Sequence, residues 1–172
     1  MRLYRGKVTV IANEVIQTLM DDGSIEVEAA NRLEAELDLK AIMDDYLRRE
    51  RRIRSEVQDY MASRKIPYDR YGEIRKMKTQ EHNHPTGDKV MSYLASQFTE
   101  MFMNSASVEE VYADDREIRG KVFTVLKKHN VNERELREEA LAKLKHLDEN
   151  SLEFQIRFPE ALQEVRRKHG LL

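Results

Sequence analysis

Cysteine and tryptophan are missing from this 172-residue chain altogether, and glycine and proline are scarce, at six and three copies. Without cysteine there is no disulfide, no thiolate metal site, no iron-sulfur cluster and no cysteine nucleophile. The closest pair of glycines, Gly72 and Gly87, lies fifteen positions apart, so no glycine-rich phosphate loop of either common kind can be written. Long apolar runs are also missing. The stretch Val8 to Ala12 stops at Asn13 and Glu14, too short for a signal-peptide core or a bilayer span. A soluble, cytoplasmic protein is the simplest expectation. No serine sits in a Gly-x-Ser-x-Gly elbow, and Asp21-Asp22-Gly23 does not continue into a calcium loop. These absences argue against an enzyme; no cofactor, no metal and no small-molecule substrate is indicated.

What is present is helical. Apolar residues make up 40% of the chain, enough for a packed core. Val8, Ile11, Ala12, Val15, Leu19 and Met20 recur at three- and four-residue steps, which predicts a helix to about Asp22 with Gly23 as a left-handed stop. A second segment is expected from about Glu28 to Arg49, with Leu33, Leu37, Met43, Tyr46 and Leu47 inward, and Ile53, Val57, Tyr60 and Met61 continue it toward Pro67. Tyr68, Tyr71, Ile74 and Met77 suggest one more short helix. Near the end, Asn132 and Glu135 form a capping-box-like start, Pro159 is read as a first-turn proline, and Arg166, Arg167 and Lys168 precede Gly170. No alternating apolar and polar run is long enough for a strand, so strand content should be close to zero.

The pattern recurs. At an offset of eighty-three residues Ala12, Val15, Leu19, Met20, Ser24, Ile25 and Glu26 match Ala95, Phe98, Phe102, Met103, Ser107, Val108 and Glu109. After a four-residue deletion Leu39, Met43, Tyr46 and Leu47 match Ile118, Val122, Val125 and Leu126; at the original offset Ile53, Val57 and Met61 match Leu136, Ala140 and Leu144. The predicted fold is therefore all-α and helical-bundle-like, two tandem copies of a small multi-helix unit over 1–80 and 89–172, joined by a polar linker at 81–88. Units of about 80 residues are marginal alone, so the copies should dock on each other or on a second molecule. Methionines such as Met43, Met61 and Met103 are read as flexible core fillers.

Charge is ordered in the same way. Thirty bases nearly balance thirty-two acids, yet Glu14 to Tyr46 carries a net −8 and Leu47 to Lys78 a net +6, and the second copy repeats the polarity. The densest stretch holds Arg48, Arg49, Arg51, Arg52 and Arg54, too many for one helix face to hide. Either these arginines pair with acidic segments of the same chain or of a partner, or they grip the phosphates of a nucleic acid or an anionic surface. The five histidines cluster only in Glu81-His82-Asn83-His84, which holds one Glu-x-x-His spacing. Di-iron bundles need two such pairs and two more inward glutamates, and no second pair exists, so no metal is assigned to His82 and His84.

The opening Met1-Arg2-Leu3, the helix with Ile11-Ala12-Asn13-Glu14-Val15, the turn Asp21-Asp22-Gly23-Ser24-Ile25-Glu26 and the ending Glu164-Val165-Arg166-Arg167-Lys168-His169-Gly170-Leu171 resemble the bacterial domain-of-unknown-function family numbered 507. The resemblance implies a small cytoplasmic bacterial helical protein of duplicated build and brings no activity or site residue. The expected function is a non-catalytic binding or assembly module. A protein partner or self-association would use the acidic face near Asp21 to Asp38 and the basic face of Arg48, Arg49, Arg51, Arg52 and Arg54. The alternative is a nucleic-acid- or ribosome-associated factor using the same arginines.

Overall fold

A computed structural model describes residues 1–172. The first apolar stripe becomes α1 (Val8–Asp21), which buries Val8, Ile11, Ala12, Val15, Ile16 and Leu19 along one side. Gly23 ends it with φ 75°, a conformation open to glycine without steric penalty. A two-residue strand, β1 (Ile25–Glu26), leads to α2 (Arg32–Ser63), a single helix about 48 Å long at 1.5 Å per residue. Then follow α3 (Tyr71–Glu81), α4 (Lys89–Asn104), β2 (Glu110–Val111), α5 (Asp115–Lys128), α6 (Glu133–Lys143) and α7 (Leu152–Lys168). The fold is all-α in substance. No helix is long and apolar enough to cross a membrane.

Strand content is close to zero, as expected, and is confined to two strands of two residues each. They pair antiparallel, Ile25 opposite Val111 and Glu26 opposite Glu110, and the Ser24 carbonyl accepts from the Tyr112 N–H at 2.9 Å. Both segments leave a helix end in extended form and plug the core with Ile25, Val27 and Val108. Their partners lie far away in sequence, so no local alternation betrays them.

One apolar core joins both halves of the chain. Its 23 residues come mostly from α1, the first half of α2, α4 and α5, joined by Leu3, Ile25, Val27 and Val108, with Phe98, Phe102, Leu39, Met43, Ile118 and Leu126 fully enclosed. Two smaller clusters flank it. Ile53, Val57 and Met61 hold the far half of α2 against α3, and Leu136, Ala140, Leu144, Ala161 and Val165 join α6 to α7 together with Tyr4 and Leu171.

Several local readings change. Leu33 and Leu37 are 60% and 44% exposed, because the inward stripe of α2 runs through Ala35, Leu39, Met43 and Tyr46 and places position 37 on the other side. Pro159 lies inside α7, which starts earlier than expected because the Ser151 hydroxyl accepts from the Phe154 N–H at 3.1 Å. Met103 is 44% exposed rather than core. Other signals match the structure. Asn132 accepts from the Arg134 N–H at 3.1 Å and donates to Glu135 at 2.8 Å, and α7 ends at Gly170 with φ 62°.

Candidate functional site

On α2 the side away from Tyr46 and Ile53 carries Ala41, Asp44, Leu47, Arg48, Arg51 and Arg54, spaced at three and four residues so that they form one stripe. This stripe is one wall of a groove of about 760 Å³. The other wall comes from the two ends of the chain, with Arg2, Leu3, Tyr4 and Arg5 on one side and Arg166, Leu171 and Leu172 on the other.

The sequence brings those ends together by a helix stop and a missing side chain. At the end of α7 the Gly170 N–H bonds the Arg167 carbonyl and the Leu171 N–H bonds the Arg166 carbonyl at 2.9 Å, so the left-handed glycine turns the chain back. Leu171 is thereby buried, 1% exposed, in the α6–α7 cluster beside Tyr4. Gly6 donates to the Leu171 carbonyl at 3.3 Å.

Six arginines line the groove against two acids, Asp44 and Glu50, with Leu3, Tyr4, Leu47 and Leu171 as apolar surface between them. At one end Glu133 is shared: Arg166 reaches it at 3.2 Å, Arg2 at 3.7 Å, and the Tyr4 hydroxyl donates to it. Both guanidiniums also lie over the Tyr4 ring, 5.2 Å and 5.8 Å from its centre. Burial holds Arg2 below the ordinary guanidinium range, and Glu133 works in the opposite direction. The Arg166 Nε is buried without a hydrogen-bond partner. One carboxylate thus serves two cations and a phenol, and the groove keeps a surplus of positive charge.

The five arginines singled out in the sequence divide. Arg48, Arg51 and Arg54 line the groove. Arg51 and Arg54 make no ion pair, whereas Arg48 reaches Asp45 at 3.4 Å. Arg49 turns to the other side, bonding the Tyr93 hydroxyl and pairing with Asp45 at 3.0 Å, and Arg52 pairs with Glu56 at 3.0 Å. Arg2, Arg5 and Arg166 were not legible as partners of this stripe. Their basic character is visible in the sequence, but their meeting depends on the tertiary closure of the two ends.

The acidic face does not neutralise these arginines. Asp22 pairs with Lys121 at 3.0 Å, and Glu14 pairs with Lys128 and His129 at 2.6 Å each. Glu26, Glu28, Glu109 and Glu110 surround the strand pair with no ion pair, and repulsion from Glu28 pushes the Glu109 carboxyl up. The two clustered histidines part company. His82 bonds Glu56 at 2.5 Å, while His84 is buried against Tyr46, so the pair offers no common metal geometry.

The groove is therefore a charged, partly apolar surface on an all-α frame. The chain matches, over residues 1–171, the family described as Protein of unknown function (DUF507), and it belongs to that family. A comparison with curated proteins gives no match.

Proposed function

We propose that this protein is a non-catalytic helical binding module whose arginine groove receives an acidic segment of a protein partner. The observation that carries this reading is the lining itself: unpaired Arg5, Arg51 and Arg54 alternate with Leu3, Tyr4, Leu47 and Leu171. Such alternation suits carboxylate and apolar side chains on one peptide, since arginine binds carboxylates through a two-pronged contact and keeps its stem on apolar surface. A uniform phosphate backbone would leave the apolar half of the lining unused.

We also read the frame as two copies of one unit, 1–80 and 89–172 about the turn at 81–88. Support comes from the offset of eighty-three residues and from the recurring order of helix, two-residue strand and helix in α1–β1–α2 and α4–β2–α5. The continuous α2 is matched by α5 and α6, between which residues 129–132 break the helix.

Fluorescence anisotropy with a labelled peptide of alternating glutamate and leucine, beside an oligonucleotide of equal charge, tests the assignment. Saturable peptide binding that falls about tenfold in Arg51→Ala/Arg54→Ala supports it. Tighter binding of the oligonucleotide replaces the protein partner with a nucleic acid.

A further inference from the structure

A second recessed surface lies between α3 and the turn that joins it to α4. Its volume is about 810 Å³, within the range of small-ligand sites. One wall is a face of α3 with Gly72, Arg75, Lys76, Thr79 and Gln80, and the other is the turn from Asn83 to Gly87 with Lys89 at the start of α4. In a chain whose acids outnumber its bases, no carboxylate lines this cleft, while three cations do. Lys76 and Lys89 make no ion pair, and Arg75 reaches only Glu50, at 3.4 Å.

His84 supplies an independent observation. It is 6% exposed, forms part of the cleft wall, and neither ring nitrogen has a hydrogen-bond partner. Buried polar atoms are normally paired, so an unpaired donor and acceptor at a cationic cleft point to a missing polar group. The ring is not free to turn away. It stacks on Tyr46 with centres 4.6 Å apart, and the Tyr46 hydroxyl pins the turn by donating to the Pro85 carbonyl at 3.1 Å.

We propose that this cleft binds a small soluble compound carrying a diphosphate, held by Arg75, Lys76 and Lys89 and bonded at the inner wall by His84. The site is separate from the arginine groove, and its ligand is of another class. Hydroxyl and amide groups of Thr79, Gln80, Asn83 and Thr86 complete a lining suited to a hydrogen-bond-accepting oxyanion. Gly72 leaves the entrance open, because a Cβ there would meet nothing within 4 Å.

Calorimetric titration of the full chain with inorganic pyrophosphate at low salt, against sulfate at equal ionic strength, tests the assignment. The expected result is saturable 1:1 binding of pyrophosphate that exceeds sulfate, and weakens about tenfold in Lys76→Ala/Lys89→Ala, whose altered side chains lie at the surface. Gly72→Phe, at a position where a Cβ meets nothing within 4 Å, should obstruct the cleft, and Arg51→Ala/Arg54→Ala should bind as the parent does. The His84 ring 15N signals should move with pyrophosphate in the parent and stay fixed in Gly72→Phe. Absence of saturable binding, equal affinity for sulfate, or equal affinity in all variants with matched melting curves would overturn the proposal, as would loss only in the Arg51/Arg54 variant.

Discussion

Gly6 lies against the backbone of Gly170 so closely that a Cβ on Gly6 would overlap the Gly170 carbonyl oxygen. The contact joins the first turn of the chain to the last, and so assembles the groove wall that carries Arg2, Arg5 and Arg166. Backbone cannot yield as a flexible side chain would, so Gly6→Ala should destabilise the protein by about 1–3 kcal/mol, the usual range for overpacking. Urea unfolding checks this, with Gly72→Ala in the open part of α3 as the contrast. That exposed helical glycine should be neutral or gain up to about 1 kcal/mol.

The three clusters should open in order of size. Phe98 is fully enclosed in the 23-residue core shared by α1, α2, α4 and α5, so Phe98→Ala should cost about 3–5 kcal/mol. The far half of α2 and α3 is held by three buried residues, Ile53, Val57 and Met61. Native-state hydrogen exchange should therefore show α3 amides exchanging through local opening while α4 amides exchange with global unfolding. Equal protection in both helices would contradict this division.

His84 makes stability depend on acid. Burial holds its imidazole below the ordinary value of 6.5, Arg49, His82 and Arg75 push it the same way, and only Glu50 opposes them. Below pH 6.5 the unfolded chain then takes up a proton that the folded chain refuses, so stability falls as pH drops. His84→Phe keeps the stacked ring and removes the titration. The difference between parent and variant in urea midpoint should be small at pH 8 and widen in the variant's favour toward pH 5.5.

Glu139 acts in the opposite sense. Hydrogen bonds from Lys168 and His169, each at 2.7 Å, hold its carboxyl down to about 2. The stability it contributes is present above its ordinary value of 4.5 and is lost as pH falls toward 2. Glu139→Gln should therefore lower the midpoint at pH 7, with the difference shrinking both at pH 3 and in 0.5 M salt. Because the pair is exposed, the effect should be modest.

Helix positions were legible wherever one apolar stripe met clear punctuation, as in α1 before Gly23 and α7 before Gly170. Leu33 and Leu37 misled because leucine in a charged helix reads as core, while the small Ala35 and the partly paired Glu36 take the inward positions. The strand pair was invisible because Ile25 and Val111 meet across more than eighty residues. For the groove, half of the six lining arginines were visible in the run from Arg48 to Arg54, and rotation about α2 sorted Arg51 and Arg54 from Arg49 and Arg52. Arg2, Arg5 and Arg166 joined them only through the closure of the chain ends. His84 looked like part of a polar linker, and its burial rests on a stacking partner thirty-eight positions away.

The groove as the partner-binding surface is tested most directly by arginine side-chain NMR. Titrating the labelled protein with an acidic glutamate-leucine peptide should shift the Nε–Hε signals of Arg5, Arg51 and Arg54, which line the groove without ion pairs, and leave Arg134 and Arg157 on α6 and α7 unmoved. Shifts spread evenly over all arginines, or confined to residues outside the groove, would contradict it.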